Sequence, residues 1–132
     1  MILQIESKKT ISEIKEEFHA VFPFLKLEFF TKPHDVSDAS LIREMIKTNP
    51  ELGELSKNKK SGKIDFTPYT TVAALETAFR EHGLNVQVFR KSGTVWLETT
   101  ITDNLTLQSQ NALGKEKSLA PEQPDLSDID YD

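Results

Sequence analysis

Apolar residues along this chain first alternate, then recur every three or four positions, then alternate again. Leu3 and Ile5 alternate; Ile11, Ile14, Phe18 and Val21 share one side of a helix; Leu25 and Leu27 alternate. A period that changes from 2 to 3.6 and back to 2 predicts a strand-helix-strand unit. The order returns 61 residues later without a gap. Ile64 and Phe66 answer Leu3 and Ile5. Thr71 and Val72 answer Thr10 and Ile11, Leu75 answers Ile14, Phe79 answers Phe18, and Val86 and Val88 answer Leu25 and Leu27. Residues 1–30 and 62–91 are therefore expected to be two copies of one folding unit.

The helix ends are marked. Thr10-Ile-Ser-Glu13 is a capping box, in which hydroxyl and carboxylate each take a free backbone N–H, and Pro23 stops the first helix. Thr71 starts the second, and Gly83, after His82, suits a left-handed C-terminal position. Downstream, 85–89 and 94–99 alternate around Arg90-Lys-Ser-Gly93, which reads as a hairpin turn. The natural register sets Val88 against Val95 and Val86 against Leu97, leaving Gln87, Phe89, Trp96 and Glu98 on the opposite face.

Residues 31–62 are a variable insertion. Ser37 or Asp38 can cap a short helix through Leu41, Ile42, Met45 and Ile46 that ends before Asn49-Pro50. Leu52–Leu55 is expected as a short strand paired with residues 63–66. Asp103 can cap a last helix over 105–113, with Gly114 as its stop.

Two β-α-β units predict an α+β domain over residues 1–114. The expected layout is a ferredoxin-like antiparallel sheet with helices on one face and an extra hairpin strand. A β-grasp is the alternative, favoured if 52–66 forms a hairpin. Residues 115–132 read as a flexible acidic tail.

Charge is laid out unevenly. The 132-residue chain has net charge −5. Five of its 21 acidic residues (Glu122, Asp125, Asp128, Asp130 and Asp132) lie in 120–132, which holds no Lys or Arg; the other 16 balance the 16 bases. A neutral body argues against strong attraction to nucleic acid. Pro121, Pro124 and low hydrophobicity make the tail a solubilising end, although Leu126, Ile129 and Tyr131 among its acids are a pattern that can dock in a groove. There is no cysteine, which excludes a disulfide scaffold, a thiolate zinc site and a cysteine nucleophile. No apolar run is long enough to span a bilayer and no secretory signal is visible.

Thr71-Val-Ala-Ala-Leu-Glu76, Gly83-Leu-Asn-Val-Gln-Val-Phe-Arg-Lys-Ser-Gly93, Trp96-Leu-Glu-Thr-Thr100 and Thr106-Leu-Gln-Ser-Gln-Asn111 together resemble a group of small uncharacterised bacterial domains with no assigned activity. The resemblance covers residues 64–114. It implies a bacterial, cytoplasmic protein and brings neither an activity nor site residues.

Motifs for chemistry are lacking. His19, His34 and His82 form no HExxH or i, i+4 pair, so no metal site is expected. His34-Asp35 reads as loop capping rather than a general base. Phosphate-cradling glycine motifs and a GxSxG elbow are missing, and the tail aspartates lack the glycine and closing glutamate of a calcium loop. No cofactor is implied, and these absences weigh against an enzyme.

Two features remain. Phe24, Phe30, Phe89 and Trp96 are expected on the sheet face away from the helices, interleaved with Lys26, Glu28 and Gln87. So large an aromatic face needs cover, from residues 100–114, a second copy or a ligand. The other feature is Lys57, Lys59, Lys60 and Lys63 around Asn58, Ser61 and Gly62, either a solvated turn or a contact for phosphates. The expected function is a non-enzymatic protein-binding or assembly module acting through the aromatic face, with a second copy of the chain among the candidate partners. The alternatives are a weak phosphate or nucleic-acid binder using the lysine loop, and a small-molecule regulatory domain suggested by fold analogy alone.

Overall fold

A computed structural model describes residues 1–32, 44–56, 61–100 and 102–119. The first unit is β1 (Ile2–Ile5), α1 (Ile11–Val21) and β2 (Leu25–Phe30), followed by the single turn α2 (Leu52–Leu55). The second is β3 (Gly62–Asp65), α3 (Val72–Glu81), β4 (Asn85–Ser92), β5 (Val95–Glu98) and α4 (Leu107–Leu119). The fold is α+β with antiparallel strands.

The helix starts form as their sequences require. Glu13 N–H donates to Thr10 Oγ1 at 3.4 Å and Thr10 N–H to Glu13 Oε1 at 2.8 Å, closing the capping box. Thr71 Oγ1 accepts from Ala74 N–H at 3.1 Å. α1 ends at Phe22, ahead of Pro23, and α3 at His82 with Gly83 at φ +77°. The inward residues of both helices meet Leu3, Ile5, Ile64, Phe66, Leu25, Leu27, Phe29, Val86 and Val88 in one core.

The repeat is a local two-fold. β1 pairs with β3 so that Leu3 faces Ile64, and β2 pairs with β4 so that Leu27 faces Val88. Each of these residues faces its own equivalent 61 positions away, so one pseudo-dyad passes through both pairs. The symmetry reaches beyond the strand-helix-strand unit. Ile11 N–H bonds to Pro50 O (3.1 Å), Leu52 N–H to Lys9 O (2.7 Å) and Gly53 N–H to Ser7 O (2.9 Å). In the second half Val72 N–H bonds to Leu105 O (3.1 Å), Leu107 N–H to Thr70 O (2.8 Å) and Gln108 N–H to Pro68 O (2.9 Å). α2 and α4 therefore dock their first turns on the loops ahead of α1 and α3 in the same way, and the repeated unit is β-α-β plus a docked helix.

The expected α+β class with antiparallel strands is present, while the strand order differs from the ferredoxin-like one. A ferredoxin-like sheet would set β2 beside β3 and β4 beside β1. The antiparallel β1–β3 pair is one that a ferredoxin-like sheet also contains, but β2 pairs with β4 rather than with β3, leaving a β1–β3 ribbon and a separate β2–β4–β5 sheet. The β-grasp hairpin is not seen among the described residues: Leu52–Leu55 is a helical turn whose first two N–H groups are taken by Lys9 O and Ser7 O, and β3 is taken by β1.

Other expectations shift locally. The helix expected through Met45 and Ile46 is not present at its described end, where Met45 bridges Phe30 and Ile46 N–H bonds to Phe29 O at 2.8 Å; residues 33–43, with His34 and Asp35, lie outside the described residues. β4 continues through Arg90 and Lys91 to Ser92, so the turn is Gly93-Thr94, with Gly93 at φ +65°. A two-residue hairpin needs that positive φ. The register becomes Ser92–Val95 and Arg90–Leu97. α4 begins after Thr106, whose Oγ1 accepts from Ser109 N–H, and runs through Gly114 to Leu119, so ordered chain extends past residue 114. Residues 120–132 lie outside the described residues.

Candidate functional site

The four aromatic residues expected on one open face are divided by the structure. Phe24 precedes β2 and belongs to α4: its N–H donates to Asn111 Oδ1 at 2.9 Å, and its Cβ lies against Gly114. Phe30 and Phe89 are only 2% and 5% exposed. Neither is an accessible contact surface in the single chain. Trp96 on β5 and Phe24 beside α4, each half-buried, are the two of the four rings left at the surface. The expected broad aromatic face thus narrows to Trp96 at a sheet edge and Phe24 against α4, with Phe30 and Phe89 buried. Alternation did place Phe89 and Trp96 on the same face; the burial of Phe30 and Phe89 was not visible in it.

Around Trp96 the structure builds a small polar frame. Lys26 faces Phe89 across β2–β4, and its ammonium stands 5.0 Å from the Trp96 ring centre and 5.6 Å from that of Phe89. A cation over a ring face is attracted by the ring quadrupole. Glu28 fixes the ammonium from the other side, taking Lys26 Nζ at 3.1 Å and Lys15 Nζ at 2.8 Å. The His19 ring meets Trp96 edge-on, with ring centres 6.2 Å apart. His19 Nδ1 lies 2.8 Å from the Leu25 carbonyl; a carbonyl only accepts, so Nδ1 carries the proton there. Lys26, Glu28, Lys15 and His19 come from β2 and α1, and together they fix one side of the indole.

The other side of β5 is open. Because the register is moved by the short turn, Val95 and Leu97 project past the helices and are 53% and 43% exposed. They had been expected beneath the helices, opposite Val88 and Val86. The β5 edge is unpaired among the described residues, and Val95-Trp-Leu-Glu98 carries neither lysine nor proline, two residues that commonly protect an edge.

The lysine cluster is only partly described. Lys57, Lys59 and Lys60 lie outside the described residues. Lys63 is exposed on β3 and lines an open depression of about 580 Å³ with Gln4, Glu6, Ser7, Lys8, Ser61 and Gly62. A second hollow, of about 210 Å³, lies among Phe30, Thr31, Glu54, Leu55, Gly83, Leu84 and Asn85. It falls short of the ~300 Å³ at which small-molecule sites usually begin.

Among the described residues no group of three His, Asp or Glu side chains could hold a metal ion, and no helix is long and apolar enough to cross a membrane. Compared with protein-family models, curated proteins and solved structures, the chain has no significant match. The functional reading therefore rests on its own residues.

Proposed function

We propose that this chain is a non-enzymatic binding or assembly module that engages a protein partner through the β5 side of its larger sheet. The observation that carries this reading is the unpaired β5 edge with Val95 and Leu97 exposed on one face and Trp96 held at the surface on the other. An extended partner segment can add to such an edge, with main-chain bonds giving affinity and alternate side chains giving selectivity. Lys26, Glu28 and His19 hold the indole in place, which lowers the ordering cost of a contact. A photo-reactive residue at position 95, introduced in the cells that make the protein, tests the reading. Protein adducts at 95 and far fewer at the exposed helix position 16 support it; equal yields at both positions overturn it.

A second reading has one observation in its favour. Lys8 and Lys63 line the same open depression with the hydroxyls of Ser7 and Ser61, a donor set suited to a phosphate group. Glu6 in the same lining works against an anion. Titration with inorganic phosphate at low salt, followed at the lysine ammonium groups by NMR, tests it; unchanged Lys8 and Lys63 signals end it.

A further inference from the structure

We propose that the partner of the β5 edge is a second copy of this chain, paired antiparallel through Val95–Glu98 about a two-fold axis at Leu97. The inference rests on the reading of β5 as the contact surface and names its occupant. In an antiparallel ladder, successive residues turn their N–H and C=O groups to opposite sides. Ser92 faces Val95, Arg90 faces Leu97, and Thr99 N–H bonds to Val88 O at 3.3 Å. Val95, Leu97 and Thr99 therefore direct their main-chain groups to β4, and Trp96 and Glu98 direct theirs outward. A two-fold axis at Leu97 sets Trp96 opposite the partner's Glu98 and Glu98 opposite the partner's Trp96. Every outward N–H and C=O of the strand then has a partner. An axis at Trp96 would pair only Trp96 with its own copy.

Side chains favour the same register. Leu97 faces the partner's Leu97 on one side of the joined sheet, removing exposed apolar surface from water. On the other side a row forms across the strands. Lys26 faces Phe89 and Phe89 faces Glu98 within one chain. Glu98 then faces the partner's Trp96, which itself faces the partner's Lys91. Glu98 is the only charged residue of β5. In this row it stands between two cations, Lys26 and the partner's Lys91, each separated from it by one ring. The symmetric arrangement brings no like charges into direct opposition. A four-residue edge buries less than the ~800 Å² per partner of a standard interface, so the dimer is weak and concentration-dependent.

The chain has no cysteine, which makes the register directly testable. Opposed residues at a non-hydrogen-bonded position have Cα atoms about 4.5 Å apart, within disulfide range. Under mild oxidation Leu97→Cys is expected to form a covalent dimer at least about tenfold faster than Glu16→Cys, and sedimentation of the wild-type chain should show a dimer that grows with concentration. Leu97→Lys, at an exposed site, should keep the native circular dichroism and weaken association by at least roughly tenfold. A wild-type chain that is monomeric at all concentrations, or a dimer indifferent to Leu97→Lys, overturns the proposal. Equal cross-linking of the two cysteine variants overturns it as well. In any of these cases, adducts to other proteins at position 95 would leave the binding-module reading standing, and their absence would end both.

Discussion

Glu76 Oε2 accepts the N–H of Val88 at 2.9 Å, on the side of β4 from which β5 has turned away. The carboxylate is buried and also takes Gln87 Nε2 at 3.3 Å. Its repeat equivalent, Lys15, instead reaches the carboxylate of Glu28. This is where the two halves differ in chemistry. On the β2 edge, next to Leu27, Phe29 O and Thr31 N–H are bonded to Ile46 N–H and Glu44 O. On the β4 edge a side chain completes the ladder.

Glu76→Ala should accordingly be among the more damaging polar substitutions. It leaves a buried N–H and a buried amide without this acceptor, at a cost of about 1–3 kcal/mol. Glu81→Ala, on the exposed end of the same helix, should stay within about 0.5 kcal/mol of wild type. Urea denaturation of the two variants side by side checks the contrast.

Gly114 predicts an inversion of helix propensity. Alanine favours a helix interior over glycine by about 1 kcal/mol. A Cβ at Gly114 would lie 2.8 Å from Phe24 Cβ, 3.0 Å from Phe24 O and 3.1 Å from Arg90 Cγ. Two of these belong to the backbone or to its first side-chain atom, and they yield only if α4 moves. Overpacking of this kind costs about 1–3 kcal/mol. Gly114→Ala should therefore lower stability. Ala112→Gly, exposed two residues earlier, should lower it too, by propensity alone. A rise in melting temperature for Gly114→Ala would show that α4 is free to shift.

Gly114 also shows where reading the sequence stopped. A lone glycine after Leu113 is locally indistinguishable from a helix stop; what keeps it glycine is Phe24, 90 residues earlier in the chain. Leu52 and Leu55 had the same difficulty, since four residues cannot separate a strand from one helical turn. Arg90-Lys-Ser-Gly93 supports either a four-residue or a two-residue turn, and the choice decides whether Val95 and Leu97 are covered or exposed. By contrast, the capping residues and the 61-residue offset were legible because both are local or periodic signals. The pairing of Leu3 with Ile64 and of Leu27 with Val88 was not, because a repeat says which segments are alike and not which of them touch. Of the candidate site, Trp96 was legible by alternation. The shielding of Phe30 and Phe89 was not, nor was the burial of Glu76, which has the same sequence surroundings as any surface glutamate.

The two N-caps should behave as independent copies. Thr10→Ala and Thr71→Ala each remove a side-chain acceptor from a helix start, at about 1 kcal/mol apiece. Thr10→Ala also disturbs the partner bond from Thr10 N–H to Glu13, so it should be the costlier of the two. The double variant should lose the sum to within about 0.5 kcal/mol, as separated sites do. A larger loss, measured by thermal or denaturant unfolding, would mean that the two helices sense each other through the core they share.

Deletion of residues 120–132 separates charge from stability. The removed segment carries the whole net charge of −5, yet the core is drawn from residues 3 to 107. A polar, proline-containing end has little apolar surface with which to offset its ordering entropy. The shortened chain should melt within about 2 °C of the full chain, which for a domain of this size corresponds to well under 1 kcal/mol. Because acidic residues favour solubility, its solubility near neutral pH should fall at the same time. A large drop in melting temperature would instead show the acids, or Leu126, Ile129 and Tyr131, to be seated on the body. Repeating the comparison at high salt would tell the two apart, since screening weakens an acidic contact and leaves an apolar one in place.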